Sequence, residues 1–140
     1  MIRRVWVLAA GIGLAAGGMT AARHDEKSHG SVKPIAARAI VEKVDGKEAK
    51  ATAVEVTLEP GQAGAPHRHP GPVLGYVLAG EYEWAIDDNE SKVLKAGETF
   101  YEPAGCLHRV SKNPGKVKTR VLAWVIHPRD AKDLVLPAAK

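Results

Sequence analysis

Three histidines carry the clearest chemical signal in this sequence. His67 and His69 are separated by a single residue, and His108 follows after several further segments of chain. In an extended segment, side chains two positions apart point to the same face, so both imidazoles of the pair would face the same way. Imidazole is a common ligand for Fe, Ni, Cu and Zn ions. The spacing therefore predicts a metal site formed by His67, His69 and His108, provided that the fold returns His108 to the pair.

The segments around these histidines have the pattern of β-strands. Short extended runs alternate with turns rich in Gly, Pro, Asn and Asp, and no stretch has the periodicity of a long helix. Strands are predicted over residues 39–44, 51–58, 73–78, 81–86, 91–94, 98–102, 107–110 and 117–126. Short strands at roughly even spacing favour an antiparallel sandwich or barrel. The sequence therefore predicts an all-β, single-domain fold.

Two motifs built on glycine and histidine resemble those of the cupin family. The first, a glycine followed by His-x-His and a later glycine, matches Gly61, His67, His69 and Gly80. The second, a glycine followed by Pro-x-Gly and then a histidine, matches Gly97, Pro103, Gly105 and His108. The resemblance spans most of the chain, from about Ala51 to Ile126. It implies a double-stranded β-helix, or jelly-roll barrel, with the three histidines as metal ligands.

The sequence departs from the family pattern at two positions. Val73 stands where the first motif has a glutamate ligand, and the neighbouring alternative is Leu74. Lys112 stands where the second motif ends in an asparagine, and Asn113, one position later, has the features of a turn residue. The chain thus resembles the three-histidine cupins, which lack the carboxylate of the first motif.

A site of three neutral imidazoles would leave the charge of a divalent ion uncompensated. Such a site is expected to attract an anionic substrate with two adjacent donor atoms. Nitrogen ligation shifts the preference away from Mn(II), which favours oxygen donors, toward Fe(II), Ni(II), Cu(II) or Zn(II). We expect Fe(II), with Ni, Cu, Zn or Mn as alternatives. The three-histidine cupins that the chain resembles include thiol dioxygenases and a diketone-cleaving dioxygenase. We therefore expect a metal-dependent dioxygenase acting on a small molecule; the alternative is a non-catalytic cupin that binds or senses a metal or a small ligand.

Four residues are candidates for the surroundings of the site: Glu102, Cys106, Trp84 and Val73. Glu102 could replace the missing carboxylate as a base beside the metal, although a solvated charge at the rim is the simpler interpretation. Cys106, two residues before His108, could be a thiolate ligand or a redox group, but such a cysteine is more often a small buried apolar residue. Trp84 could line the pocket or belong to the core. Val73, at the position of the missing glutamate, is a candidate for the pocket wall.

The first 22 residues have the features of an export signal. Arg3 and Arg4 form a basic start, residues 5–19 carry no charge, and small residues follow at 20–22. At the helical rise, the apolar run would reach about 22 Å, short of the roughly 30 Å hydrocarbon core. A cleaved signal is therefore favoured over a retained membrane anchor. We divide the chain into a signal at 1–22, a flexible linker at 23–35, a barrel domain at 36–128 and a C-terminal tail at 129–140, and expect a periplasmic or secreted protein.

Charge and cysteine content limit the partners. The full chain has a formal net charge of +4, but without Arg3 and Arg4 it has 18 basic and 16 acidic side chains, a net charge of +2. No basic stripe interleaved with aromatic residues is present, so nucleic acid is not an expected partner. The single cysteine excludes an internal disulfide. No stable membrane anchoring is expected after cleavage, and the resemblance to cupins implies a homodimer.

Overall fold

The computed structural model describes residues 30–44 and 46–138, which form two antiparallel five-stranded sheets. The strands are β1 (Ser31–Val44), β2 (Lys47–Leu58), β3 (His67–Arg68), β4 (Val73–Ala79), β5 (Glu81–Ile86), β6 (Lys92–Lys95), β7 (Thr99–Glu102), β8 (His108–Lys112), β9 (Thr119–Pro128) and β10 (Leu136–Pro137). The first sheet has the order β1-β2-β9-β4-β7, and the second has the order β10-β3-β8-β5-β6. Because neighbouring strands are mostly distant in sequence, this order returns the second histidine motif to the first.

The core lies between the two sheets and follows the alternation along each strand. In β4, Val73 and Val77 are buried, whereas Leu74 and Tyr76 face outward. In β9, every second residue from Thr119 to His127 is buried. Side chains two apart share one face of a strand, so each sheet contributes one face to the core. The predicted all-β, single-domain fold is confirmed.

One close approach in the core requires glycine. Gly75 of β4 is paired in register with Phe100 of β7. A Cβ atom built at Gly75 would lie 2.0 Å from the Phe100 ring, far inside van der Waals contact. The absence of a side chain therefore lets the Phe100 ring lie across the strand, beside Tyr82 and Trp84 at centroid distances of 5.5 Å.

All eight predicted strands are present, and two regions differ from the prediction. β1 begins at Ser31, so the end of the predicted linker at 23–35 is part of a strand that pairs with β2. The predicted tail at 129–140 contains β10, which pairs with β3. The predicted signal at 1–22 lies outside the described residues. Within the described part of the chain, no helix is long and apolar enough to cross a membrane.

Candidate metal centre

Strand register brings the three histidines together. His67 of β3 is directly opposite His108 of β8. His69 follows β3, and its ring lies 4.7 Å from the ring of His67 and 6.2 Å from that of His108, measured between centroids. Arg68, between the two histidines, instead donates a hydrogen bond to the carbonyl oxygen of Gly105. The prediction that His67 and His69 share a face and meet His108 is confirmed, and their ligand atoms all lie within 4.8 Å of one another.

Backbone carbonyls fix the orientation of the His67 and His69 rings. Nδ1 of His67 donates to the oxygen of Ala65 at 2.9 Å, and Nδ1 of His69 donates to the oxygen of Leu134 at 2.6 Å. With the proton on Nδ1, each neutral ring carries a lone pair on Nε2. These two Nε2 atoms are 3.1 Å apart. Two nitrogens that are each about 2.1 Å from one ion, at about 90–110°, are about 3.0–3.4 Å apart, so the pair fits a shared metal ion.

Burial keeps two of the imidazoles neutral. It lowers the pKa of His69 to about 4, against a smaller opposing effect of the hydrogen bond to Leu134. Burial, together with the smaller effect of the positive charges that His67 and His69 would carry, lowers the pKa of His108 to about 3. Metal binding requires the unprotonated ring, so these two side chains are already in the binding form at neutral pH.

Tyr82 connects His108 to the polar interior. Its hydroxyl lies 3.3 Å from Nε2 of His108 and 3.0 Å from Oγ of Ser111. Tyr82 is 3% exposed, and burial raises its pKa well above the ordinary value, so the hydroxyl keeps its proton. The other ring nitrogen of His108, Nδ1, is buried without a hydrogen-bond partner. Tyr82 thus holds one side of the His108 ring and leaves the other side toward the cluster.

Glu102 lies beside the histidines and is not a solvated charge. It is 1% exposed, so the interpretation of Glu102 as a rim residue is wrong. Its Oε1 accepts a hydrogen bond from Nε1 of Trp84 at 3.0 Å and lies 3.3 Å from Nδ1 of His108. Its Oε2 lies 3.5 Å from Nε2 of His69 and has no hydrogen-bond partner. Burial raises the pKa of Glu102 to about 7, against the opposing effect of the Trp84 hydrogen bond.

The cluster borders a small apolar cavity of about 90 Å³ between the sheets. Its walls are mainly aliphatic and aromatic side chains, including Val73, Phe100, Val125 and Leu134. Its polar groups are the three histidines, Glu102, Tyr82 and Ser111. A concave, largely apolar space with a few convergent polar groups is typical of a small-molecule site.

The comparisons with known proteins agree with this architecture. A model of the cupin domain matches residues 54–125. The chain belongs to the cupin family. No curated protein matches this cupin by sequence.

Solved structures share the fold of this cupin. A conserved protein with a double-stranded β-helix domain from Klebsiella pneumoniae is 25% identical, with a TM-score of 0.52 over 76% of this chain and 86% of that chain. An RmlC-like cupin family protein from Methanocaldococcus jannaschii is 15% identical, with a TM-score of 0.56 over 89% of this chain and 91% of that chain. An oxalate oxidase in complex with the substrate analogue glycolate is 24% identical, with a TM-score of 0.53; the match covers 74% of this chain and 53% of that chain. At this identity the last two show the fold alone.

The other predicted residues occupy different places in the cupin. Val73 is buried and lines the cavity. Trp84 packs against the core and hydrogen-bonds Glu102. Cys106 is partly buried and lies outside the set of cavity-lining residues. Asn113 is fully buried and organises the turn before β9, where its amide donates to the carbonyl oxygens of Leu58 and Val117.

The alternation along β7 and β9 places two buried polar residues, Glu102 and His127, on inward faces. Glu102 is two positions after the inward-facing Phe100 in β7, so it shares that face. His127 continues the inward face of β9 beyond Val125 and is 2% exposed. Its Nε2 lies 2.9 Å from Oγ1 of Thr52. The alternation itself was the missed signal.

Proposed function

We propose that this cupin is a metal-dependent dioxygenase. It binds one divalent transition metal ion, preferentially Fe(II), through His67, His69 and His108, and its substrate is a small molecule with two adjacent oxygen or thiol donors. The observation that carries the proposal is that the three imidazoles converge on the wall of an apolar cavity. Structural metal sites are closed by protein ligands, whereas catalytic sites keep open positions for the substrate.

The protein's own residues would hold and shield such a centre. The carbonyl oxygens of Ala65 and Leu134 fix the ring orientation of His67 and His69, which in metalloproteins raises the basicity of the ligand nitrogens. When bound, Fe(II) supplies the redox chemistry for a reaction with O2. The apolar walls exclude water from the reacting groups and favour a substrate with an apolar body.

Cavity size narrows the substrate class. A volume of about 90 Å³ holds a few water molecules or a molecule of similar size. Small diketones, thiols and simple catechols are therefore better candidates than a three-ring flavonol, which would require movement of the residues that cover the cavity. Leu134 and Val135 line the cavity from the C-terminal segment.

O2 consumption by the Fe(II)-loaded protein tests the activity. We expect uptake with at least one member of a panel of small diketones, thiols, catechols and flavonols, and none by the His67→Ala, His108→Ala double variant. Elemental analysis of the same two proteins should show metal in the wild type only. Bound metal with no uptake across the panel would overturn the dioxygenase proposal and favour a binding or sensing cupin. Equal metal content in both proteins would overturn the site.

We also propose that this cupin is exported and acts in the periplasm or outside the cell. The support is the basic start and the short uncharged run of the first 22 residues. Intact mass of the protein recovered from the periplasmic fraction of an expressing bacterium should correspond to a chain beginning near residue 23. A full-length chain in the cytoplasmic fraction would contradict export.

A further inference from the structure

We propose that Glu102 is a fourth protein ligand of the metal site, and that Trp84 positions its carboxylate. This inference rests on the proposed metal binding by the three histidines and changes the composition of that site. It assigns the missing carboxylate to a different strand from the one that the family motif specifies.

Strand register places Glu102 where a carboxylate from position 73 would reach. Glu102 of β7 is directly opposite Val73 of β4. Directly opposite residues of an antiparallel pair have Cβ atoms about 4.5–5.5 Å apart and share a face. Both side chains are buried and line the same cavity. A carboxylate at either position, on β4 or on β7, can therefore reach the same part of the cavity.

The hydrogen-bond pattern leaves one carboxylate oxygen for a ligand. Among the described residues, the buried side-chain nitrogen and oxygen atoms without a hydrogen-bond partner are Oε2 of Glu102 and Nδ1 of His108. Oε2 lies 3.5 Å from Nε2 of His69, on the side of the cluster. Leaving such an atom buried and unsatisfied is costly, more so for a charged group. One cation bound by both residues would satisfy both atoms.

The charges around the cavity also support metal coordination by Glu102. The described residues that line the cavity include no Lys or Arg, so no permanently cationic side chain faces Glu102 there. A buried carboxylate is normally paired with a cation or coordinates a metal. Bound beside three neutral imidazoles, Glu102 would lower the net charge of a divalent centre from +2 to +1.

Trp84 sets the direction of the carboxylate from the opposite sheet. Its Nε1 donates to Oε1 of Glu102 at 3.0 Å. Its indole ring packs against the phenyl ring of Phe100, with 5.5 Å between the ring centroids. Oε1 is therefore occupied and Oε2 is left for coordination by one oxygen. Hydrogen bonds of this kind to a coordinating carboxylate orient the ligand.

Co(II) binding measures the ligand set independently of turnover. Metal-free wild type, Glu102→Gln and Trp84→Phe are titrated with Co(II), and the affinity and the visible absorption spectrum are recorded. We expect Glu102→Gln to weaken Co(II) binding by at least about 100-fold and to change the spectrum, and Trp84→Phe to weaken it by about 10–100-fold. The exposed Glu98→Gln is the matched control and should bind like the wild type.

A relocated carboxylate separates ligation from folding. The double variant Val73→Glu, Glu102→Val returns the carboxylate to β4, and its Co(II) affinity should recover to within about tenfold of the wild type because the two positions are directly opposite. Metal-free Glu102→Gln should unfold at the same or a higher temperature than the wild type, since it replaces a buried ionisable carboxyl with a neutral amide of the same shape; a purely structural Glu102 would give a lower one. Wild-type affinity and spectrum for Glu102→Gln, with binding lost in His67→Ala, would overturn the inference and leave the three-histidine site intact. No Co(II) binding by the wild type would overturn both.

Discussion

Tyr82 connects His108 to the polar interior of the barrel. Its buried hydroxyl contacts both Nε2 of His108 and Oγ of Ser111. Tyr82→Phe removes this hydroxyl and leaves two buried polar groups without their partner. We expect a loss of about 1–3 kcal/mol in the free energy of unfolding, by urea denaturation, and a loss of about tenfold in metal affinity.

The Ser111→Ala variant is the control for that prediction. It should cost less than Tyr82→Phe because the Tyr82 hydroxyl keeps its contact with His108. The Tyr82→Phe, Ser111→Ala double variant should be less destabilised than the sum of the single changes, since both partners of one contact are then removed. Simple additivity would show that the two hydroxyls do not interact.

Cys106 illustrates a residue whose position in sequence suggested chemistry that its environment does not favour. Burial, followed by the negative charge of Glu102, raises the pKa of Cys106 to about 11. The thiolate is the reactive form, and a raised pKa means that it forms only at higher pH. Cys106 should therefore be the uncharged thiol at pH 7–9. We expect the alkylation rate by iodoacetamide, followed by mass spectrometry, to keep rising up to about pH 11. A plateau near pH 8.5, as for an ordinary exposed thiol, would contradict this environment.

At the scale of elements, the C-terminal segment belongs to the site although it was predicted only as a tail. β10 pairs with β3 through Leu136 opposite Arg68 and Pro137 opposite His67. The carbonyl oxygen of Leu134 accepts the Nδ1 proton of His69. The segment therefore closes one side of the cavity and fixes one ligand ring.

Shortening the chain after Asp130 should affect the site more than the fold. The truncated protein loses the acceptor for His69 and two cavity walls but keeps β1 to β9 and the core between the sheets. We expect metal affinity to fall by about 10–100-fold, by competition with a chelator, with the far-ultraviolet circular dichroism of a β-protein retained. The Leu136→Gly variant keeps the chain length and the Leu134 carbonyl. Comparing its metal affinity with that of the truncated protein separates the effect of strand pairing from that of the Leu134 contact. Unchanged affinity in the truncated protein would show that the segment does not orient His69.

Local patterns predicted most strands because alternation and turn residues are properties of neighbouring residues. The same patterns placed His67 and His69 on one face. Pairing between distant strands is a different kind of information: that Glu102 is opposite Val73 depends on the register of β7 against β4. The pairing of β10 with β3 likewise depends on a contact between residues about half the chain length apart. The motif spacing identified the three histidines, whereas the nearby carboxylate required the register.

At the scale of the whole molecule, the outer face of the first sheet is apolar where charged residues would be expected on a monomer. Outward side chains of β4, β7 and β9 are 37–54% exposed; they are Leu74, Tyr76, Leu78, Tyr101 and Trp124. Register places Leu74 between Tyr101 and Trp124, so these side chains form a continuous row across three strands. A contiguous exposed apolar face of this kind is typical of a protein interface.

A second copy of this chain is the partner that we expect on this face. An exposed apolar sheet face can pack on the same face of a second copy about a two-fold axis, so that one patch contacts its equivalent on the other copy. Sedimentation velocity at micromolar concentration should therefore show a homodimer, and Tyr76→Lys, Trp124→Lys should convert it to a monomer because burying unpaired charges in the interface is costly. Val93→Lys, an equally exposed apolar position on β6 of the other sheet, is the matched control and should remain dimeric. Since none of the substituted residues lines the cavity, metal content should be the same in all three proteins. A monomeric wild type, or a dimer that Val93→Lys disrupts and the double variant does not, would show that this face is not the interface.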